Sequence, residues 1–261
     1  MKKVDNKNWL KTFKRTFKSE MIVSVIMLFL IASCLFMFFV FKSFGITTNK
    51  PEGADFIFAR DTTYLSEWYA TFVMVFSAMK ITKMLQTKKL LIFKYTEYTF
   101  TAWTIFIFLF YVVGIFIGQT QIDDTSFDTY YRASAIHVIV PLIWLVYFFV
   151  FPISDQKTKR QVWLGSLQNV VILSAYLIWI GIRLIPNVGD QSVVYPYSFL
   201  SAHKIGVALY ILGNIAFIAL ISFLYVGVYY LNILIYNKSN KLTNKNNIKN
   251  ESIIKINKES N

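Results

Sequence analysis

A histidine and a proline stand four residues apart in an uncharged stretch of nineteen residues, 133–151. The stretch is long enough to cross a bilayer as one helix. In such a helix Pro141 cannot donate a hydrogen bond to the backbone carbonyl of His137, so an ionisable ring and a free carbonyl oxygen lie at one level. Polar groups are costly inside a membrane and usually face a cavity or a partner. His137 is therefore the first candidate for chemistry.

A threonine hydroxyl is the candidate partner of this histidine. Thr63, Glu67 and Thr71 recur every four residues in the second apolar run, so they share one helix face. The hydroxyl of Thr71 becomes a nucleophile when a base such as His137 removes its proton, and Glu67 or Asp61 would fix the ring tautomer. The competing interpretation is structural, with the threonine bonded to its own helix and the histidine to a neighbouring one.

The elements that must position these groups are membrane helices. The chain has 261 residues, of which 56% are hydrophobic and only 16% charged, whereas a soluble domain carries more charge. We predict an all-α, polytopic membrane bundle with six transmembrane helices. The predicted spans lie near 21–41, 62–79, 98–117, 133–151, 162–182 and 205–230.

Net charge alternates along the chain and predicts the topology. Residues 1–20, 80–97, 154–161 and the tail from 237 carry net charges of +5, +4, +2 and +4, whereas the other three connections carry −1, −2 and +1. The positive-inside rule places both termini in the cytoplasm. We therefore expect a multi-pass protein of the cell membrane. Because the positive charge is confined to short connections, the sequence predicts membrane lipids as partners and no nucleic acid.

The two ends of the chain are basic. Residues 1–20 place Trp9, Phe13 and Phe17 at four-residue spacing between lysines, which predicts a basic amphipathic segment on an anionic leaflet, or only a flank that fixes the topology. The membrane domain is predicted over 21–236. The Asn- and Lys-rich tail, 237–261, is predicted to be disordered and cytoplasmic.

The first span contains a match to a bacterial lipobox at residues 31–34, which would make Cys34 a new N-terminus after cleavage. Residues 35–41 remain apolar, however, where a lipoprotein has a polar tether. We therefore expect an uncleaved span.

The predicted topology brings the polar residues into one layer near the outer face. Thr71 and His137 each lie roughly 6–8 Å below the outer boundary at the helical rise per residue. The two histidines have no acid at ligand spacing, so we predict no metal site, and the absence of a phosphate-binding glycine loop predicts no cofactor. The candidate substrate-binding residues in this layer are Glu67, Arg132, Arg183, Tyr195 and Tyr197.

Two short motifs resemble a known family. The HVIVP segment, which runs from His137 to Pro141, resembles the fourth span of the androgen-induced family of six-span membrane hydrolases. The YPYSFL segment, 195–200, resembles a motif before the last span of small bacterial proteins related to them. A threonine near the start of the second span completes the same order, and the resemblance covers roughly residues 21–236.

This resemblance implies hydrolysis of esters between fatty acids and hydroxy fatty acids, with Thr71 and His137 as the catalytic pair. Bacterial relatives have Phe-Thr followed by Gln-Ser-Asn at the threonine, whereas this chain has Ala-Thr-Phe-Val-Met over 70–74. Thr62, Thr63 or Ser66 is then another candidate for the nucleophile, and the further alternative is that the chain has no such nucleophile.

Three hypotheses for function follow from the sequence. The first is a lipid-ester hydrolase with an acyl-chain substrate in an outward-opening cavity. The second is a membrane protein that binds or moves a lipid or small amphiphile without catalysis, with His137 as a hydrogen-bonding group. The third is a helical scaffold whose basic termini dock a partner protein.

Overall fold

The computed structural model describes residues 15–46, 64–116, 126–155, 157–184 and 206–259 together with 51, 53, 57 and 62. The side chains at 181, 183, 184, 207 and 239–259 are not described. Every regular element in this part of the chain is helical. The helices are α1 Phe17–Ser43, α2 Leu65–Thr87, α3 Lys94–Phe116, α4 Phe127–Val150, α5 Lys159–Leu184 and α6 Val207–Glu259.

The predicted fold class, an all-α membrane bundle, is confirmed. Five helices, all except α2, are long and apolar enough to cross a membrane. The second helix is long enough too, with 23 residues, but its buried face carries Ser66, Ser77 and Lys80. These polar groups lower its hydropathy and are sheltered by its neighbours rather than by lipid.

The third helix joins the two halves of the bundle. On one side, α1 packs along α2 and against α4, and α3 closes this group through α2 and α4. On the other side α3 contacts α5 and α6, which pack on each other. Aromatic rings fill both contacts: Phe100 lies 4.7 Å from Trp144 on α4, and Tyr98 lies 5.4 Å from Tyr229 on α6, between ring centroids.

Side-chain contacts show which helix termini share an end of the bundle. Arg15 and Glu20 of the first helix region contact Glu97 at the start of α3 and Lys80 in the last turns of α2. We call this end, which also holds the end of α4 and the start of α5, the basic end. At the opposite, far end, the start of α2 meets the start of α4 through Glu67 and Arg132.

The fourth helix widens directly before its proline. Residues Ala135–Ile139 form a π turn, in which the amide of Val140 donates to the carbonyl of Ala135. The sequence predicts a lost bond at Pro141. The π turn adds one residue to the helix at this point, a local change that often accompanies functional sites. It also re-aims His137, which lies at the centre of the turn.

The two basic flanks of the chain are described only in part. The first helix begins at Phe17, capped by Thr16 and Ser19. Arg15 and Glu20 are buried in the bundle rather than lying on a membrane surface, and residues 1–14 lie outside the described part. At the other terminus, α6 continues to Glu259. A helix already formed in the membrane extends cheaply, since the costly step is nucleation.

Candidate functional site

An ion pair links α2 and α4 at the far end. The guanidinium Nε of Arg132 donates to the carboxylate of Glu67 at 2.9 Å, and its Nη2 contacts the same oxygen at 2.5 Å. The guanidinium carbon also lies 3.9 Å from the ring centroid of Phe38 on α1. Both charged side chains are about one-seventh exposed. Two of the predicted substrate-binding residues therefore meet and contact each other.

His137 lies deeper on α4 and is held by its own surroundings. Its Nδ1 lies 3.0 Å from the backbone carbonyl of Ala133, and its ring stacks on Tyr111 of α3 with centroids 4.4 Å apart. A carbonyl oxygen only accepts, so Nδ1 carries the proton and the lone pair of the neutral ring lies on Nε2. The residue is half-buried. Among the described residues its orienting partners are a backbone carbonyl and a tyrosine ring, while Glu67, one of the two carboxylates predicted for this role, contacts Arg132.

Thr71 lies on the outer surface of α2. It shares a face with Val75 and Met79, whose side chains are 58% and 37% exposed, and it is itself exposed. Within the described residues, Thr71 and His137 make no hydrogen bond to each other. The structure therefore does not bring together the two residues predicted as nucleophile and base.

The remaining predicted site residues cannot be compared side chain by side chain. Arg183 belongs to the last turn of α5, but its side chain is not described. Tyr195, Tyr197 and the whole YPYSFL segment lie outside the described residues, as does Asp61. Of the other candidate nucleophiles, Ser66 is buried on α2.

The basic end contains a charged cluster that sequence reasoning missed. We define it as Arg15, Glu20, Lys80 and Glu97, which come from the segment before α1 and from α1, α2 and α3. Lys80 donates to both carboxylates, at 2.8 Å to Glu97. Arg15 contacts both as well, at 3.5 Å to Glu20. Two cations and two anions make the cluster neutral.

The charged cluster is buried, so its four side chains lose hydration free energy that their mutual contacts must offset. The side chains of Glu20, Lys80 and Glu97 have no exposed surface, and that of Arg15 is 3% exposed. Tyr147 of α4 donates to Glu20 at 2.6 Å, so a fourth helix takes part. Charged side chains without exposed surface are rare in helical bundles, and they are stable only when they are paired. In the sequence, the four residues of the cluster lie in or beside charged connections, so they could not be distinguished from solvent-exposed loop charges.

A further cation is buried among tyrosines at the same end. Lys157, in the connection between α4 and α5, bonds to Asp155 and lies 4.0 Å from the ring centroid of Tyr95 and 4.8 Å from that of Tyr98. Cation–π contacts compensate part of the lost hydration. Burial lowers the pKa of Lys157, which the bond to Asp155 opposes and nearby Lys94 reinforces.

Buried amides fasten the helices beside this lysine. Asn232 of α6 accepts from the amide of Ile153 at 2.9 Å and donates to its carbonyl at 2.8 Å and to Tyr98 at 3.1 Å. Asn169 of α5 accepts from Trp103 of α3 at 3.0 Å. These side chains act as interhelical links, the role that amides commonly have in membrane bundles.

No family model, no curated protein and no solved structure matches this chain.

Proposed function

We propose that this chain is a six-span protein of the cell membrane, with both termini in the cytoplasm, that binds a lipid or small amphiphile at its far end through His137. The observation that supports binding is the 3.0 Å contact between Nδ1 of His137 and the carbonyl of Ala133. This contact leaves Nε2 as a hydrogen-bond acceptor on a ring that Tyr111 holds in place.

The chemistry of this region suits the polar end of an amphiphile. A hydroxyl or a protonated carboxyl group would donate to Nε2, while the Glu67–Arg132 pair lies five residues nearer the helix start and would contact the more hydrated part of the headgroup. An acyl chain attached to that headgroup lies in the bilayer beside exposed apolar side chains. Membrane lipids are thus both the solvent and the ligand class.

Ester hydrolysis is the second candidate function. An acceptor nitrogen on a fixed imidazole is what a general base requires. Hydrolysis also requires a nucleophile within reach of Nε2, and the outward position of Thr71 favours binding over catalysis by this pair. A catalytic role for Thr71 would need α2 to turn about its axis relative to α4.

Binding and hydrolysis are separated by one set of measurements. Purified full-length protein is tested for binding of radiolabelled palmitic acid and for hydrolysis of a palmitate ester of hydroxystearic acid, with His137→Ala and Thr71→Val beside it. Ile178→Ala, an exposed position on α5, is the control. The binding proposal expects loss of binding in His137→Ala alone. Hydrolysis lost in both variants would establish the hydrolase, and unchanged binding in His137→Ala would overturn the site.

The topology has its own test. The single cysteine, Cys34, is buried and can be replaced by alanine. Single cysteines are then introduced at Thr87, exposed at the basic end, and at Phe127, which is 65% exposed at the far end. An impermeant thiol reagent added to whole cells is expected to label Phe127→Cys and not Thr87→Cys. The reverse pattern would place the termini outside.

A further inference from the structure

An apolar groove follows the second half of α4 toward the basic end. Its volume is about 440 Å³, and every lining side chain is aliphatic or aromatic. Val146 at its centre is 62% exposed, so the groove opens on the outer surface of the helix, which faces lipid in a membrane. The groove is lined by Leu142, Ile143, Val146, Tyr147, Val150 and Phe151.

A buried arginine lies beside the basic end of the groove. The guanidinium carbon of Arg15 lies 5.1 Å from the ring centroid of Tyr147, and its Nε donates to the carbonyl of Phe151 at 2.7 Å. Arg15 therefore contacts two of the six lining residues. Its Nη2 is buried and has no hydrogen-bond partner within the described residues. A buried donor without a partner is costly and indicates a missing acceptor.

The first turn of α1 lies at the same place. Thr16 caps the helix, and the Oγ of Ser19 lies 3.4 Å from the hydroxyl oxygen of Tyr147. Lys18, which directly precedes Ser19 in the sequence, is exposed. The start of a helix offers free backbone amides and a positive dipole end, which together favour an anion. The nearby carboxylate of Glu20 does not cancel this field, because it is buried and paired with Lys80.

We propose that this region is a site for a phosphate-bearing membrane lipid of the leaflet at the basic end. One acyl chain lies in the groove, and the phosphate lies over the start of α1, near Lys18, where an oxygen accepts from Nη2 of Arg15. A lipid rather than free phosphate fits, because the polar region continues directly into the apolar groove. This site lies at the opposite end of the bundle from His137 and does not depend on the function proposed there.

The test measures binding of spin-labelled phosphatidylglycerol to the full-length protein in phosphatidylcholine nanodiscs. Lys18→Gln removes the exposed charge at the headgroup, and Val146→Trp fills the groove. Their matched controls are Lys83→Gln, an exposed lysine on α2 at the same end, and Val171→Trp, which is 68% exposed on α5. Two further measurements separate the contribution of the acyl chain from that of the headgroup. One uses spin-labelled diacylglycerol, which lacks phosphate, and the other adds inorganic phosphate as a competitor.

We expect about fivefold weaker phosphatidylglycerol binding in Lys18→Gln, the effect of one lysine near an anionic headgroup. Val146→Trp should weaken both lipids, and both controls should bind as the parent does. If each variant and its control lost lipid binding equally, the loss would come from total charge or surface area in general. That result would overturn the site. Full competition by millimolar inorganic phosphate would also overturn it, since the ligand would then be the free anion.

Discussion

The carboxylate of Glu97 on α3 accepts a hydrogen bond from Lys80 on α2 at 2.8 Å, and neither side chain exposes any surface. The two residues are only 17 positions apart, across the turn between their helices. Arg15 and Glu20 complete the pair from the other side, so that α1, α2 and α3 depend on one another at the basic end. Removal of one member would leave an uncompensated charge in the core.

The first prediction concerns this charged cluster. Glu97→Gln should lower the free energy of unfolding by about 3–5 kcal/mol, the cost of breaking a buried ion pair on one side. Unfolding in mixed detergent micelles measures the change. The double variant Glu97→Gln with Lys80→Met should lose less than the sum of the single losses, because it leaves fewer unpaired charges. Glu67→Gln, in the pair with Arg132 whose side chains keep about one-seventh of their surface exposed, is the control and should cost less than Glu97→Gln, because water still reaches this pair. Equal losses at Glu97 and Glu67 would contradict the argument.

The second prediction concerns the close approach of α5 to α3 and α6. A Cβ at Gly165 would lie 2.1 Å from the hydroxyl oxygen of Tyr225 and 2.6 Å from a ring carbon of Tyr95. Gly165→Ala should therefore destabilise the protein by about 1–3 kcal/mol through overpacking. A Cβ at Gly213 or Gly227 would have no atom within 4 Å, so Gly213→Ala and Gly227→Ala serve as controls. They should be neutral or stabilising, since alanine is the better helix former. Thermal unfolding of all three variants tests the order.

The third prediction concerns the amide that fastens the connection after α4. Asn232→Leu would leave the buried amide and carbonyl of Ile153 without their partners, at about 1–3 kcal/mol for each unsatisfied group. Asn214→Leu on the same helix is the matched control, because the Asn214 side chain makes no hydrogen bond in the described part of the chain. Proteolysis of the 151–158 connection should become faster in Asn232→Leu only. Equal proteolysis rates in both variants would show that Asn232 does not hold this connection in place.

The fourth prediction is a pH dependence. Burial, the largest cause, lowers the pKa of Lys157 from the ordinary value of 10.5. Between the folded and unfolded pKa values the unfolded chain binds more protons, so stability should rise with pH in this window. The stability of the parent relative to Lys157→Met should increase as the pH approaches 10.5 and should be lowest below the folded pKa. The same comparison with Lys83→Met, an exposed lysine, should show no such rise. A flat difference for Lys157→Met would mean that the charged form carries no burial cost.

Much of the helical architecture could be predicted because its signals are local. Apolar runs long enough to cross a bilayer mark the helices, and the break at Pro141 follows from the missing amide of proline. The clustering of Arg132 with Glu67 at one end was also expected, since both lie near the starts of helices that run in the same direction. Each of these predictions depends on residues that are close in sequence or on the alternation of helix direction.

The rotation of each helix about its own axis was not predictable in this way. The four-residue spacing of Glu67 and Thr71 is real, but packing leaves Thr71 beside exposed Val75 while Glu67 reaches Arg132. Similarly, Glu20 and Glu97 were grouped with the surface charges of their segments. Their burial follows from the positions of Arg15 and Lys80, which belong to other parts of the chain.

The sequence by itself determined an all-helical architecture with helices apolar enough to cross a membrane, with His137 inside a proline-containing helix and with positive charge in alternate connections. The tertiary structure decided the partners: Ala133 and Tyr111 for His137, Lys80 and Arg15 for Glu97, and a ring of tyrosines for Lys157. The physical reason is that hydropathy and helical period are properties of a short segment. A buried charge is stable only when a compensating group from a distant segment reaches it, and that depends on how all the helices pack.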